Sequence, residues 1–405
     1  MDARSPRGTV AWLGLMFFLL GMSPGFFIPA LTNLLTAKGF DSQVIQWAWL
    51  TWPVAALLSP VGVGSLADNH FSAQRVLGVI CLISSALIGG AFFSLEAGHS
   101  PWIFVGLLFA SCFVSAPMWS LLASISMTHL KAKDREFPIV RLGGTLGWFA
   151  AGFVTSYVLH ADGTVVTGFA AGMVRALCGA LAFFLPDTPP RGTSRSIRSL
   201  LGFDAFRLMR ERDHAVFFVA TALLSIPLAA FYMWAPKHLA DLGDTQATAT
   251  MAFGQISEIV AMLLLASLMT RCRVKTLLTL ALGLSAIRYG LFAWSGASES
   301  RLGLWIGISF HGLCYTFYFI TAQLFVDRRV PVGMRSQAQG LISLVSNGFG
   351  TLMGVVFVRW LYDQVVVTGD GGWALYWSIL GAMIAGITLG FALLYVGMPA
   401  SKRSG

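Results

Sequence analysis

Along almost its whole length the chain alternates apolar runs of roughly 20 residues with short polar breaks, and each run is long enough to cross a hydrocarbon core of about 30 Å. The pattern predicts twelve spans, at about 9–32, 44–67, 76–95, 101–128, 138–159, 166–186, 214–236, 249–270, 276–296, 302–326, 337–362 and 373–398. Every span is expected to be a helix, because lipid offers no hydrogen bonds and the segment must satisfy its own backbone. The first span follows Arg4 and Arg7 as a signal peptide would. It is too long for the apolar core of such a peptide and lacks a convincing cleavage site, so it is expected to remain as an anchor.

The longest hydrophilic stretch, LPDTPPRGTSRSIRSLLGFDAFRLMRERDH (185–214), follows the sixth span. Its Pro/Gly/Ser-rich start reads as a linker. The part SLLGFDAFRLMRER reads either as an amphipathic helix on the inner membrane surface or as a plain solvated linker. The expected organisation is an N-terminal six-helix bundle at 1–186, a cytoplasmic linker at 187–213 and a C-terminal six-helix bundle at 214–405. Transporters built from two such halves place their substrate near the midplane between them.

Composition agrees with a polytopic all-α membrane protein: 56% of residues are hydrophobic, 11% are charged and the mean hydropathy is +0.73. Soluble domains carry about 25% charged residues. The net charge of +9 is a topology signal. The N-terminus, the loops between even and odd spans, and the C-terminus hold nearly all of the basic residues, among them Arg75, Lys131, Lys133, Arg135, Arg271 and Arg273. The opposite side holds Lys38, Lys237, Arg301 and, at the edge of a span, Arg359. By the positive-inside rule both termini are cytoplasmic, and no nucleic-acid partner is implied. The five cysteines show no ligand spacing, so neither a metal nor a disulfide role is expected.

Polar residues inside the spans carry the chemistry, since a charge at a helix centre costs about 2.5–3.5 kcal/mol even on a lenient scale. They are Arg141, Arg175, Gln255, Glu258, Arg288, His311 and Gln323. Arg141, Thr145 and Trp148 share one face of span five at i, i+4 and i+7, beside GGTLG, whose small residues let helices approach closely. Arg141 either snorkels to the cytoplasmic headgroups or faces a watered cavity. Gln255 and Glu258 share a face of span eight; Glu258 is either a proton carrier or half of a salt bridge to Arg141 or Arg288. In span ten His311 and Tyr315 lie at i and i+4, beside Thr316 and Phe319. That mixture suits a flat polar ligand, or else His311 is a core residue bonded to a helix carbonyl. Arg175 and Arg288 read as structural. In span seven, Pro227 and Pro236 are expected to break the helix near its centre and outer end, with Tyr232 and Trp234 facing either a cavity or lipid. No nucleophile–base constellation, metal set or phosphate loop is present, so no enzyme activity and no cofactor are expected.

The loop GSLADNHFSAQRVLG (64–78) resembles the loop signature of the major facilitator superfamily. Gly64, Asp68 and Arg75 match it; Asn69 stands where a basic residue is usual. Asp68 and Arg75 are expected to form a conformational latch, by pairing or by helix capping. ASLMTRCRVKTLL (266–278) is a worn copy in the second half.

Five runs resemble the nucleoside–proton symporter family within that superfamily: FPIVRLGGTLGWFAAG, LLGFDAF, GQISEIV, IRYGLFAWSG and FVDRRVPVGMRSQAQGLISLVSNGFGTLMG. The resemblance covers most of the chain. It implies a nucleoside site formed by Arg141, Thr145, Trp148, Gln255, Glu258, His311 and Tyr315, with Glu258 as the retained proton-coupling carboxylate. Two departures stand out. Ala229 and Tyr232 occupy places where the family offers amides, and Thr316 replaces an expected carboxylate. The expected function is proton-coupled nucleoside uptake by alternating access, by a monomer in a bacterial inner membrane. The alternatives are a same-fold symporter for a sugar or other small polar solute, and a non-transporting receptor.

Overall fold

The computed structural model describes residues 5–69, 71–189, 203–329 and 335–397, and for a few of these, including 60–69, 327–329 and 335–337, the backbone alone. Among the described residues every regular element is helical, and each expected span falls on a helical segment. Ten helical stretches are long and apolar enough to cross a membrane, the sixth span adds the shorter Val166–Ala182, and the second is the 28-residue helix Ser42–Asn69.

Several spans are interrupted. Span one runs as Arg7–Phe27 and Leu31–Ala37, the turn falling at Pro29, and span four divides at Pro117 into Pro101–Ser115 and Met118–His129. A proline cannot donate to the ladder and clashes with the preceding turn, which accounts for both sites. Span eight divides at Phe253 into Ala247–Ala252 and Gly254–Arg271. Span ten is the most broken: Arg301–Ser309, His311–Tyr315, a π-helical turn at Thr316–Ile320, and Thr321–Arg329.

Span seven departs from expectation. It is one continuous helix, Arg212–Asp241, through both Pro227 and Pro236. Within a membrane the backbone groups near a proline can be met by neighbouring side chains, so the helix need not break. Tyr289 Oη donates to the carbonyl of Pro227 itself, and Asn33 Nδ2 to that of Pro236 at 3.0 Å, which tethers the helix beside each proline; the carbonyls the prolines free are those of Leu223 and Tyr232. In the linker, Phe203–Arg210 is a 3-10 helix with Phe206 exposed, while 190–202, including Leu200 and Leu201, lies outside the described residues.

The chain resolves into two compact units, 1–200 with 230–256, and 201–229 with 257–405. In the first unit, Leu13, Met16, Phe17, Leu77, Cys81, Leu122 and Ile125 form a buried apolar core. Spans one and five approach so closely there that a Cβ on Gly147 would lie 1.9 Å from the Phe18 carbonyl oxygen, and one on Gly21 2.1 Å from that of Gly144. Lipid is as apolar as the side chains, so van der Waals contact between small residues holds such a pair. The second unit packs spans nine and twelve through rings: Trp377 lies 5.6 Å from Tyr289 and 5.1 Å from Phe292.

Candidate functional site

The expected site residues divide between the units. In the first, Arg141, Thr145 and Trp148 ride on Lys133–Phe153, the helix pinned by the glycine contacts. The Arg141 guanidinium carbon stands 4.6 Å from the Trp119 ring centroid and 5.9 Å from that of Phe17. A cation over ring faces is stabilised by about 0.5–2 kcal/mol, which lowers the cost of a charge that cannot be neutralised. Thr145 is buried and Trp148 half-buried.

Gln255 and Glu258, both buried, sit in the first two turns of Gly254–Arg271, immediately after the break at Phe253. The residue between them, Ser257, accepts a hydrogen bond from the Gly312 amide at 3.0 Å. That bond places the start of this helix against the start of His311–Tyr315.

His311 and Tyr315 come together as expected, with ring centroids 5.9 Å apart, and Phe319 continues the row 5.1 Å beyond Tyr315. At Nδ1 His311 meets Arg288 Nη1 at 2.7 Å. Both residues are almost fully buried, at 2% and 3% exposure. A guanidinium only donates, so Nδ1 is the acceptor and the imidazole is held neutral with its proton on Nε2. Arg288, His311, Tyr315 and Phe319 line a small cavity of about 20 Å³ with Ser285 and Pro227.

Arg288, which the sequence pattern assigned to structure, is the residue that this geometry joins to His311. Its signal was present, because an arginine inside a span must find acceptors, and His311 lies mid-span on a nearby helix. Arg175 differs. Its Nε donates to Ser23 Oγ at 3.1 Å and its Nη1 to Ser84 Oγ and Ser111 Oγ at 2.6 and 3.2 Å, which ties four spans of the first unit together.

Of the latch pair, the Asp68 side chain lies outside the described residues, and Arg75 is exposed. The Arg75 charge acts on Asp187 in the loop after span six. A hydrogen bond from Gln74 Nε2 at 2.6 Å is the main cause that holds the Asp187 carboxyl below its usual range; Ser72, then Arg75 and His129, add to it. Among the described residues no group of His, Cys, Asp and Glu could hold a metal ion.

Comparison with known proteins gives consistent relatives. The family model described as "Nucleoside H+ symporter" matches residues 8–398. The putative nucleoside transporter YegT of Escherichia coli K12 is 36% identical over 96% of this chain and 94% of its own length. Nucleoside permease NupG of the same organism is 24% identical over 88% of this chain and 87% of its own. The crystal structure of nucleoside transporter NupG superposes with a TM-score of 0.83 at 22% identity, covering 96% of this chain and all of that one. A POT family transporter follows with a TM-score of 0.74 at 12% identity, over 95% of each chain. At such identities the two structures speak for the fold alone.

Proposed function

Because the chain belongs to the nucleoside H+ symporter family, we propose that it is a secondary active transporter taking up nucleosides with protons by alternating access. The observation that carries this reading is the family match across nearly the whole chain, supported by ionisable groups buried inside spans. An energetically costly Glu258, Arg288 and His311 set inside spans is kept where it does work on a polar solute.

In this reading Arg141, Thr145, Trp148, Gln255, Glu258, His311 and Tyr315 bind the nucleoside. Aromatic faces take the flat base, and hydrogen bonds give selectivity, since a solute lacking one partner leaves a buried polar group unpaired. Glu258 carries the proton. His311 is unsuited to that task while Arg288 occupies its Nδ1, and Thr316 cannot ionise. Coupling thus rests on one carboxylate of this set. Asp68 and Arg75 serve as the latch. The working unit is a monomer with six-helix halves at 1–186 and 214–405 joined by 187–213. Both termini are cytoplasmic, supported by the one-sided distribution of Lys and Arg.

The test is uptake of a labelled nucleoside panel into proteoliposomes, with and without an inward proton gradient. Gradient-driven accumulation is the expected result. Saturable uptake indifferent to the gradient would remove the coupling, and absence of nucleoside flux in folded protein would redirect the site to another solute.

A further inference from the structure

A second cavity, of about 120 Å³, opens beside the one at His311 in the second unit, and Leu228, Tyr315 and Phe319 border both. Among the described residues that line it, none is charged. Its far wall is made by Ser225 of span seven and by Ser346, Asn347 and Thr351 of span eleven, with Gln323 and Gln339 at one end.

Three of the hydroxyl protons on that wall are already committed. Ser225 Oγ donates to the Thr221 carbonyl at 2.9 Å, Ser346 Oγ to that of Ile342 at 2.8 Å, and Thr351 Oγ1 to that of Ser346 at 2.9 Å. Gln339 Nε2 donates to the Gln323 carbonyl at 2.7 Å. Each hydroxyl keeps its lone pairs, and the amides of Gln323, Gln339 and Asn347 add N–H donors as well as carbonyl oxygens, Asn347 Nδ2 donating to Ser343 Oγ at 3.4 Å, so the wall offers both donors and acceptors. An uncharged polar wall gives an anion no counter-charge and suits a neutral solute bearing hydroxyl groups. The near wall is aromatic, which suits the C–H face of a ring.

Backbone geometry marks the same place. Two of the three spans that face the cavity carry π-helical turns there, at Thr316–Ile320 and Leu344–Gly350, and such turns are frequent at functional sites. Just beyond, spans seven and eleven close: a Cβ on Gly350 would lie 2.7 Å from Ser225 Cβ. The space is closed on that side and open where Gln323, Ser343 and Asn347 are exposed. A cavity of about 150 Å³ holds a benzene ring, so this one is on the scale of a single small ring.

We infer that the chamber walled by Ser225, Ser346, Asn347 and Thr351 against Tyr315 and Phe319 is a sugar subsite, taking the hydroxyl-bearing ring of the transported solute. The inference rests on reading the chain as a nucleoside transporter. A base held near His311 reaches the chamber with its ribose across Tyr315, and a phosphorylated ribose is refused.

The test is counterflow in proteoliposomes without a gradient, with ribonucleosides, 2′-deoxy and 3′-deoxy nucleosides and nucleoside 5′-phosphates as competitors of a labelled ribonucleoside. Wild type should prefer ribonucleosides over the deoxy forms by roughly five- to a hundredfold, the range for leaving a buried acceptor unmet. It should ignore the 5′-phosphates. Asn347→Leu, and separately Ser346→Ala, should bring that ratio towards one, with the loss falling on the ribonucleoside; the two sites back each other if one variant folds poorly. A wild type with no hydroxyl preference, or variants that keep the wild-type ratio, would overturn the subsite alone. A wild type that exchanges no nucleoside would overturn the functional reading and the subsite with it.

Discussion

Replacing Gly147 by Ala adds one methyl group at the tightest helix contact of the first unit. The new Cβ would stand 1.9 Å from the Phe18 carbonyl oxygen, 2.8 Å from its carbon and 2.9 Å from the Met22 nitrogen. All three are backbone atoms, so no side chain can rotate away. Ordinary contact begins near 3.4 Å, so spans one and five must part by about 1.5 Å (3.4 − 1.9). Parting there also opens the approaches at Gly143, 2.4 Å from the Gly14 oxygen, and at Gly21. Overpacking costs about 1–3 kcal/mol where side chains can shift, and a backbone clash belongs at or above the top of that range. At about 2.1 cal/mol/K per residue the 405-residue chain shifts by about 1 °C per kcal/mol, so the melting temperature should fall by about 3 °C or more. Arg141, Thr145 and Trp148 ride on the same helix, so uptake should fall with it. Gly14→Ala is the internal control: it is on the facing helix, yet nothing lies within 4 Å of its Cβ. Alanine is the better helix former by about 1 kcal/mol, so this variant should be at least as stable as wild type. Thermal unfolding followed by tryptophan fluorescence, with uptake measured alongside, decides the matter. A Gly147→Ala protein that melts within a degree of wild type would refute the close-contact account.

Glu258→Gln should abolish gradient-driven accumulation while substrate exchange survives in part; full accumulation by the variant would remove Glu258 from coupling. Arg141→Ala should weaken nucleoside affinity at least tenfold, about 1.4 kcal/mol, and an unchanged affinity in transport assays would leave Arg141 as a ring-stacked structural cation only. Asp187 has a folded-state pKa below its unfolded value, so its stabilisation is present above the ordinary carboxylate range and is lost as pH falls through the lowered value. Asp187→Asn should therefore flatten the acid limb of melting temperature against pH, and parallel limbs in variant and wild type would count against the Gln74 bond as its source.

The spans, their helical state and the family were legible in the sequence because the membrane leaves few options. A run of about 20 apolar residues in lipid has to close its own hydrogen bonds, whatever its neighbours do. The same economy exposed the polar candidates, since each charge inside a span is costly enough to need a reason. What those charges touch was decided elsewhere. The rings under Arg141 come from spans one and four, the three hydroxyls on Arg175 from spans one, three and four, and the acceptor for Arg288 from span ten. Periodicity fixes which residues share a face of one helix and says nothing about the helix opposite. Nor do two prolines dictate a break: span seven stays whole, with Asn33 and Tyr289 bonded to the carbonyls of Pro236 and Pro227. The uncharged polar cavity needed the structure most. Its serines, threonine and amides are unremarkable one at a time along the chain, and only packing turns their lone pairs to a common space.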